Sequence, residues 1–271
     1  MGWLAALRRW RRDRLLARIE LDDAAWRDAV ERYPYTRVLS AADSGRLQAL
    51  VKLFLHEKGI HGAGGLAGSG GMRVAIAVQA CILVLELGLD YYRGWSEVIV
   101  YPDEFVARYE YVDDAGVVHE VAEPMTGEAW ERGPVILSWA DVSGAYGDET
   151  YNVVIHEFAH KLDMLNGEPN GFPPLHAGMS REAWTEAFKA AYDDFCARID
   201  AREELPIDEY AAESPSEFFA VMSEVFFEHP RLLVDRYPAV YRELARFYRQ
   251  DTLGRLEKAR RAAAEVAVAG P

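Results

Sequence analysis

Apolar residues recur at spacings of three and four along the first third of the chain. Between residues 43 and 57, Leu47, Leu50, Val51 and Leu55 fall on one helical face. Residues 74–89 follow as an almost unbroken apolar run holding Gln79 and Glu86, the pattern of a helix buried in a core. The period then changes. Residues 98–101, 105–111, 117–121 and 134–142 are short β-branched or aromatic runs set off by Pro, Gly and Asp113-Asp114, and they predict a small, mostly antiparallel sheet. Helical spacing returns after Glu149, at 150–165, 180–200 and 215–228, with a fourth helix beginning near Ala239 and including Leu244 and Phe247. Pro206 and the acidic stretch around Glu203 mark the loop before the third. Helices, then strands, then helices is the order of an α+β domain. The layout expected is a basic segment at 1–25, a single domain at 26–254 and a C-terminal tail at 255–271. Within the domain, 26–92 is helical, 93–143 holds the sheet and 149–254 holds the remaining helices.

Composition narrows the partners. The 271 residues suffice for one sizeable core. With 44 acidic against 30 basic residues the formal charge is −14, a surface that repels phosphate backbones, so no nucleic-acid partner is expected. The apolar run at 74–89 is shorter than the roughly 18 to 20 residues a membrane span needs, so no membrane partner is expected either. Arg8, Arg9, Arg11, Arg12 and Arg14 interrupt the start of the chain and leave no secretion-type apolar stretch. Cys81 and Cys196 form no disulfide framework and read as free thiols in a reducing compartment, which points to the cytoplasm. The glycine-rich stretch 62–71 is followed by no Lys-Ser or Lys-Thr and preceded by no predicted strand, so it reads as a loop rather than a phosphate cradle.

The candidate chemistry lies in His156-Glu157-Phe158-Ala159-His160. Positions four apart on a helix differ by only about 40° in azimuth, so His156 and His160 stack on one face and can offer imidazole nitrogens to a single ion. Glu157, about 100° away from His156, can flank that ion and take a proton from a bound water. The apolar residues on both sides predict a buried helix, where two imidazoles and a carboxylate are costly without a shared partner. A similar string, His56-Glu57-Lys58-Gly59-Ile60-His61, spaces its histidines five apart, about 140° around a helix, and is assigned no metal.

A catalytic zinc takes three protein ligands and an open position. Asn166 stands where a metzincin would carry His or Asp, which excludes that class. Asp163 is either an outer partner that orients His160 or an ordinary helix-surface residue. Downstream, Glu213, Glu217 and Glu224 are candidates for the third ligand that spacing alone leaves nearly tied. Glu217 also reads as the fourth member of a capping box opened by Ser214 and Pro215, and Glu217, Val221, Glu224 and Glu228 as one stripe on a solvated helix face.

Ile-His-Glu-Phe-Ala-His-Lys-Leu-Asp-Met-Leu-Asn-Gly at 155–167, Tyr-Ala-Ala at 210–212 and Pro-Ser-Glu-Phe-Phe-Ala-Val-Met-Ser-Glu-Val-Phe-Phe at 215–227 resemble the Mlc titration factor A family of zinc peptidases. Gly-Pro-Val-Ile-Leu-Ser-Trp at 133–139 and Ala-Val-Gln-Ala-Cys at 77–81 look familial too, and the similarity runs over roughly residues 30 to 252. The catalytic domain of anthrax lethal factor is similar more distantly. The resemblance implies a zincin-like domain of gluzincin type with one Zn2+ per chain on His156, His160 and Glu217. It also implies Glu157 as the general base and Tyr210 beside the metal as an oxyanion donor. Aminopeptidase activity on short peptides is implied by the resemblance alone, since no Gly-x-Met-Glu-Asn signature occurs. The strand at 135–139 is expected to hold extended peptide by edge pairing. Family members are named for binding Mlc, a repressor of glucose-uptake genes. A repressor of that type is therefore an implied partner, and a regulator-sequestering protein with a weak zinc site is the alternative reading.

Overall fold

The computed structural model describes residues 12, 14–103, 105–112, 118–125, 127–129, 133–144 and 151–268. Most of the Arg- and Trp-rich start, residues 1–11 and 13, lies outside them, as does Thr150. Helices α1 (Asp23–Arg32), α2 (Pro34–Arg37), α3 (Ala41–Glu57) and α4 (Gly70–Leu83) form the first layer. Short polar side chains open three of them. Asp22 accepts from the N–H groups of Ala24 and Ala25, Ser40 from Asp43 and Ser69 from Met72, satisfying donors a helix start leaves free. Every residue of α4 from Val74 to Leu83 is buried, as expected for a helix apolar all round. It stops at Leu83, earlier than the apolar run predicts. The chain turns at Gly88 (φ 86°) into a short 3-10 turn, Leu89–Tyr92, where Tyr92 re-enters the core and donates to the Ala80 carbonyl at 2.8 Å.

The sheet corrects the expectation of mostly antiparallel pairing. Four strands, β1 (Gly59–Gly62), β2 (Glu97–Tyr101), β5 (Gly127–Ala129) and β6 (Val135–Ser138), lie in the order β1-β2-β6-β5. The pairs β1·β2 and β2·β6 are parallel, and only the outer strand β5 runs antiparallel to β6. The two remaining strands, β3 (Phe105–Val112) and β4 (Val118–Met125), form a separate antiparallel hairpin. The physical reason is the crossover. Helix α4 intervenes between β1 and β2, and a connection of helix length is what parallel neighbours require. Strand β1 has only Ile60 as a large apolar residue between two glycines, so periodicity does not reveal it. Strand β6 ends at Ser138, whose hydroxyl accepts from Asp141 N–H (3.3 Å), and residues from Trp139 turn into α5 (Trp139–Gly144). It is an interior strand, which removes the edge-pairing role expected for 135–139.

The last layer is helical: α6 (Val153–Asp163), α7 (Arg181–Asp200), α8 (Pro215–Glu228), α9 (Pro230–Arg236), α10 (Pro238–Tyr248) and α11 (Thr252–Val268). Proline at the first turn opens α8, α9 and α10, where its missing N–H costs nothing. Helix α11 runs across residue 255, where the tail was expected to begin. No helix among the described residues is long and apolar enough to cross a membrane.

All of α6 is buried, wedged among α4, α8 and strands β5 and β6. Phe158 anchors its back in an aromatic cluster, with ring centroids 5.8 Å from Phe54, 5.2 Å from Tyr92 and 5.7 Å from Trp95. A second cluster of Trp184, Phe188, Phe218, Phe219 and Phe247 locks α8 against α7 and α10. Truncating Phe158 to Ala removes the first anchor, and urea denaturation should show a loss of about 3–5 kcal/mol.

Candidate metal centre

Asn152 starts α6, its side-chain oxygen accepting from Ile155 N–H at 3.0 Å, so the helix begins three residues before the first candidate ligand's turn closes. His156 and His160 then project from one face, as their spacing predicts. Across the seam, Ser214 caps α8 by accepting from Glu217 N–H (3.2 Å), which leaves the Glu217 carboxylate to point at α6 rather than back at the cap. His156 Nε2 lies 2.9 Å from Glu217 Oε2, His160 Nε2 lies 3.1 Å from the same oxygen, and the two Nε2 atoms are 3.1 Å apart. These three residues are the one group of metal-ligating side chains found together among the described residues.

The donor set fits an ion. Donors 2.0 to 2.1 Å from a tetrahedral zinc are about 3.3 Å apart, so the three atoms need to spread by only a few tenths of an ångström. Two imidazole nitrogens and a carboxylate oxygen meeting this closely also demand positive charge between them. Burial disfavours a charged His156, yet its bonds to Glu217 and Glu224 raise its pKa well above the usual imidazole value. Burial likewise disfavours an ionised Glu217, but hydrogen bonds from His156 and His160 and their charge hold its carboxyl far below the usual range.

Glu224 sits on the far side of the first imidazole. It is fully buried, and its Oε1 lies 2.8 Å from His156 Nδ1. A proton on Nδ1 leaves Nε2 with its lone pair aimed at the centre. Burial pushes the Glu224 carboxyl above its ordinary range despite that bond. The α8 stripe is therefore a buried seam and not a solvated face, and Glu224 supports a histidine instead of competing with Glu217. Glu213 is exposed and outside the cluster.

Asp163 does not bond to His160. It is fully buried, pushed above the usual carboxylate range by burial, and its Oδ2 accepts from Asn170 and Gly171 N–H, both at 2.7 Å. His160 Nδ1 and Asp163 Oδ1 have no hydrogen-bond partner among the described residues. Gly171 in turn accepts from the Trp184 indole at 3.1 Å and lies against the Pro215 carbonyl, where a Cβ would collide. Its φ of 74° also favours glycine. The loop thus braces the start of α8 against the end of α6.

Glu157 is buried beside Gly127 of β5, where a Cβ would come within 2.7 Å of Glu157 Cγ and Val153 Cγ2. Tyr210 lies in a 3-10 turn, Glu209–Ala212, with its ring centroid 5.9 Å from that of His156 and 41% of the residue exposed. Tyr151 flanks the same imidazole at 6.5 Å. A cavity of about 880 Å3, bounded in part by Tyr151, Leu205, Ile207, Asp208 and His229, opens on this side. Sequence reasoning missed Asn152 and Gly127. An Asn before an apolar helical run is a readable cap signal, whereas nothing local marks Gly127.

Comparison with known proteins places the chain in a metallopeptidase family. Residues 7–249 match the family described as glucose-regulated metallo-peptidase M90. The match starts well before residue 30, so it takes in much of the Arg- and Trp-rich segment that the motifs left uncovered. Mlc titration factor A of Serratia proteamaculans (strain 568) is 38% identical over 238 residues, 87% of this chain and 90% of that one. The protein of the same name from Yersinia pestis (strain Pestoides F) is 38% identical over 238 residues, 87% of each chain.

Burial also pushes Glu228, one turn beyond Glu224, up to about 8. Its folded value lies above its unfolded value near 4.5, so the folded state holds an extra proton between them and loses stability as pH rises through that window. Glu228→Gln should remove this loss. Thermal melts should show the variant gaining on the parent between about pH 5 and 8 and levelling off above.

Proposed function

Because the chain belongs to the M90 family of metallopeptidases, we propose that it is a zinc-dependent peptidase whose ion is held by His156, His160 and Glu217. The observation that carries this reading is the convergence of those three donor atoms within 3.1 Å where α6, with Glu157 between its histidines, meets Glu217 of α8. A bound zinc supplies Lewis acidity, polarising the scissile carbonyl and bringing a water towards ionisation at neutral pH. Glu157 accepts the proton of the attacking water and delivers it to the leaving amine. Tyr210, exposed beside His156, donates a hydrogen bond to the oxygen that gains charge during attack. Strand β5, outermost in the described sheet and in contact with Glu157 through Gly127, supports an extended peptide laid along its free edge, the role first expected of 135–139. The amino-end preference and cytoplasmic setting belong to this proposal too. The second is supported by two cysteines that remain free, Cys81 buried and Cys196 partly so.

The name of the relatives, Mlc titration factor A, favours a second reading, in which the chain sequesters an Mlc-type transcriptional repressor. A panel of amino-acid p-nitroanilides with and without chelator separates the two. Chelator-sensitive cleavage supports the peptidase; stoichiometric repressor binding without turnover supports the titrator.

Glu157→Gln should keep its zinc and lose about 10²–10⁴-fold in turnover, and full activity in that variant would remove Glu157 as the base. Glu217→Gln should instead lower the zinc content of the purified protein well below one per chain. Unchanged metal analysis would remove Glu217 from the ligand set.

A further inference from the structure

Behind the candidate ligands lies a second, largely buried polar layer centred on one neutral residue. Asn152 is completely buried. Its backbone N–H donates to Glu224 Oε2, the carboxylate whose other oxygen holds His156. Its side-chain oxygen accepts from Ile155 N–H. Its amide nitrogen donates twice, to Glu228 Oε1 at 2.7 Å and to Gln79 Oε1 at 2.9 Å. Gln79 on α4 passes the network on, accepting from Tyr35 Oη (3.3 Å) and donating to Tyr33 Oη (2.7 Å).

Resting on the metal-site reading above, we propose that Asn152 is a positioning residue for the metal-binding histidine: it ties the start of α6 to both buried carboxyl groups of α8 and so fixes His156 through Glu224. The chemistry selects asparagine. The position needs an acceptor for the helix cap and two donors for Gln79 and Glu228, and an Asn side chain supplies both without adding charge. Asp would offer no donor to the Glu228 carboxyl facing it. Ser would retain the cap and lose the double donor. Glu228 carries its proton at neutral pH, since burial and the neighbouring Glu224 push it up to about 8.

The test compares Asn152→Ser with the swap Asn152→Asp plus Glu228→Gln, in which the amide and carboxyl exchange sides and the bond between positions 152 and 228 reverses direction. The Gln79 amide then turns over, so that its nitrogen donates to the new carboxylate at position 152 and its oxygen accepts from the Tyr33 hydroxyl. Zinc affinity is read by competition with a chelator on folded protein, beside the melting temperature of the metal-free form. Asn152→Ser should bind zinc up to about 10-fold more weakly, less than the loss of a direct partner of a metal ligand costs, because Asn152 acts on His156 through Glu224. The swap should recover most of that loss. If Asn152→Ser melts lower but binds zinc as tightly as the parent, its role is structural and the proposal fails. Should Asn152→Ser not fold, the swap decides alone: affinity close to the parent's upholds the proposal, and a folded swap with a 10-fold or larger loss overturns it. A parent protein that binds no zinc would sink the metal-site reading itself, which the same titration reveals first.

Discussion

Two imidazoles and two carboxylates share a largely buried seam between α6 and α8, and each is tolerable there only because the others are present. An isolated buried charge costs several kcal/mol, and removing one partner of a buried pair leaves that cost uncompensated. Here Glu217 bridges both histidines while Glu224 takes the opposite nitrogen of the first. The seam therefore couples the two helices more specifically than apolar packing would, because a shift of one turn would strand at least one ionised group.

Outside the seam, the fold is arranged to keep those helices from moving. Phe158 pins α6 from behind, and Phe218 and Phe219, immediately after Glu217, pin α8 from the other side. Asp163, Gly171, Trp184 and Pro215 form a brace in which a carboxylate, a backbone turn, an indole and a helix start meet. The asparagine layer closes the third side by joining α4, α6 and α8 through one amide. Rigid support of this kind is what ligand placement to within a few tenths of an ångström demands.

Local spacing made the two histidines, Glu157 and the helices at α3, α7, α8 and α10 legible in the chain, because helical periodicity and caps are properties of a few adjacent residues. It left three glutamates tied. Glu217 and Glu224 are seven residues apart on one helix, so they share a face and differ only in what lies opposite: the cluster of Nε2 atoms for one, Nδ1 of His156 for the other. Asp163, read as an outer partner of His160 or a surface residue, proved to be neither, since its buried carboxylate holds a loop eight residues away.

What the chain determined by itself was the inventory: a helix with two stacked imidazoles and a glutamate between them, a capped helix rich in carboxylates, and an apolar core helix, each encoded in short-range pattern. Strand direction, the interior position of β6, the burial of the α8 stripe and the choice among the glutamates were decided by tertiary structure. Each depends on a crossover or on a facing element distant in sequence, and periodicity describes one face of a helix or strand without naming what will cover it.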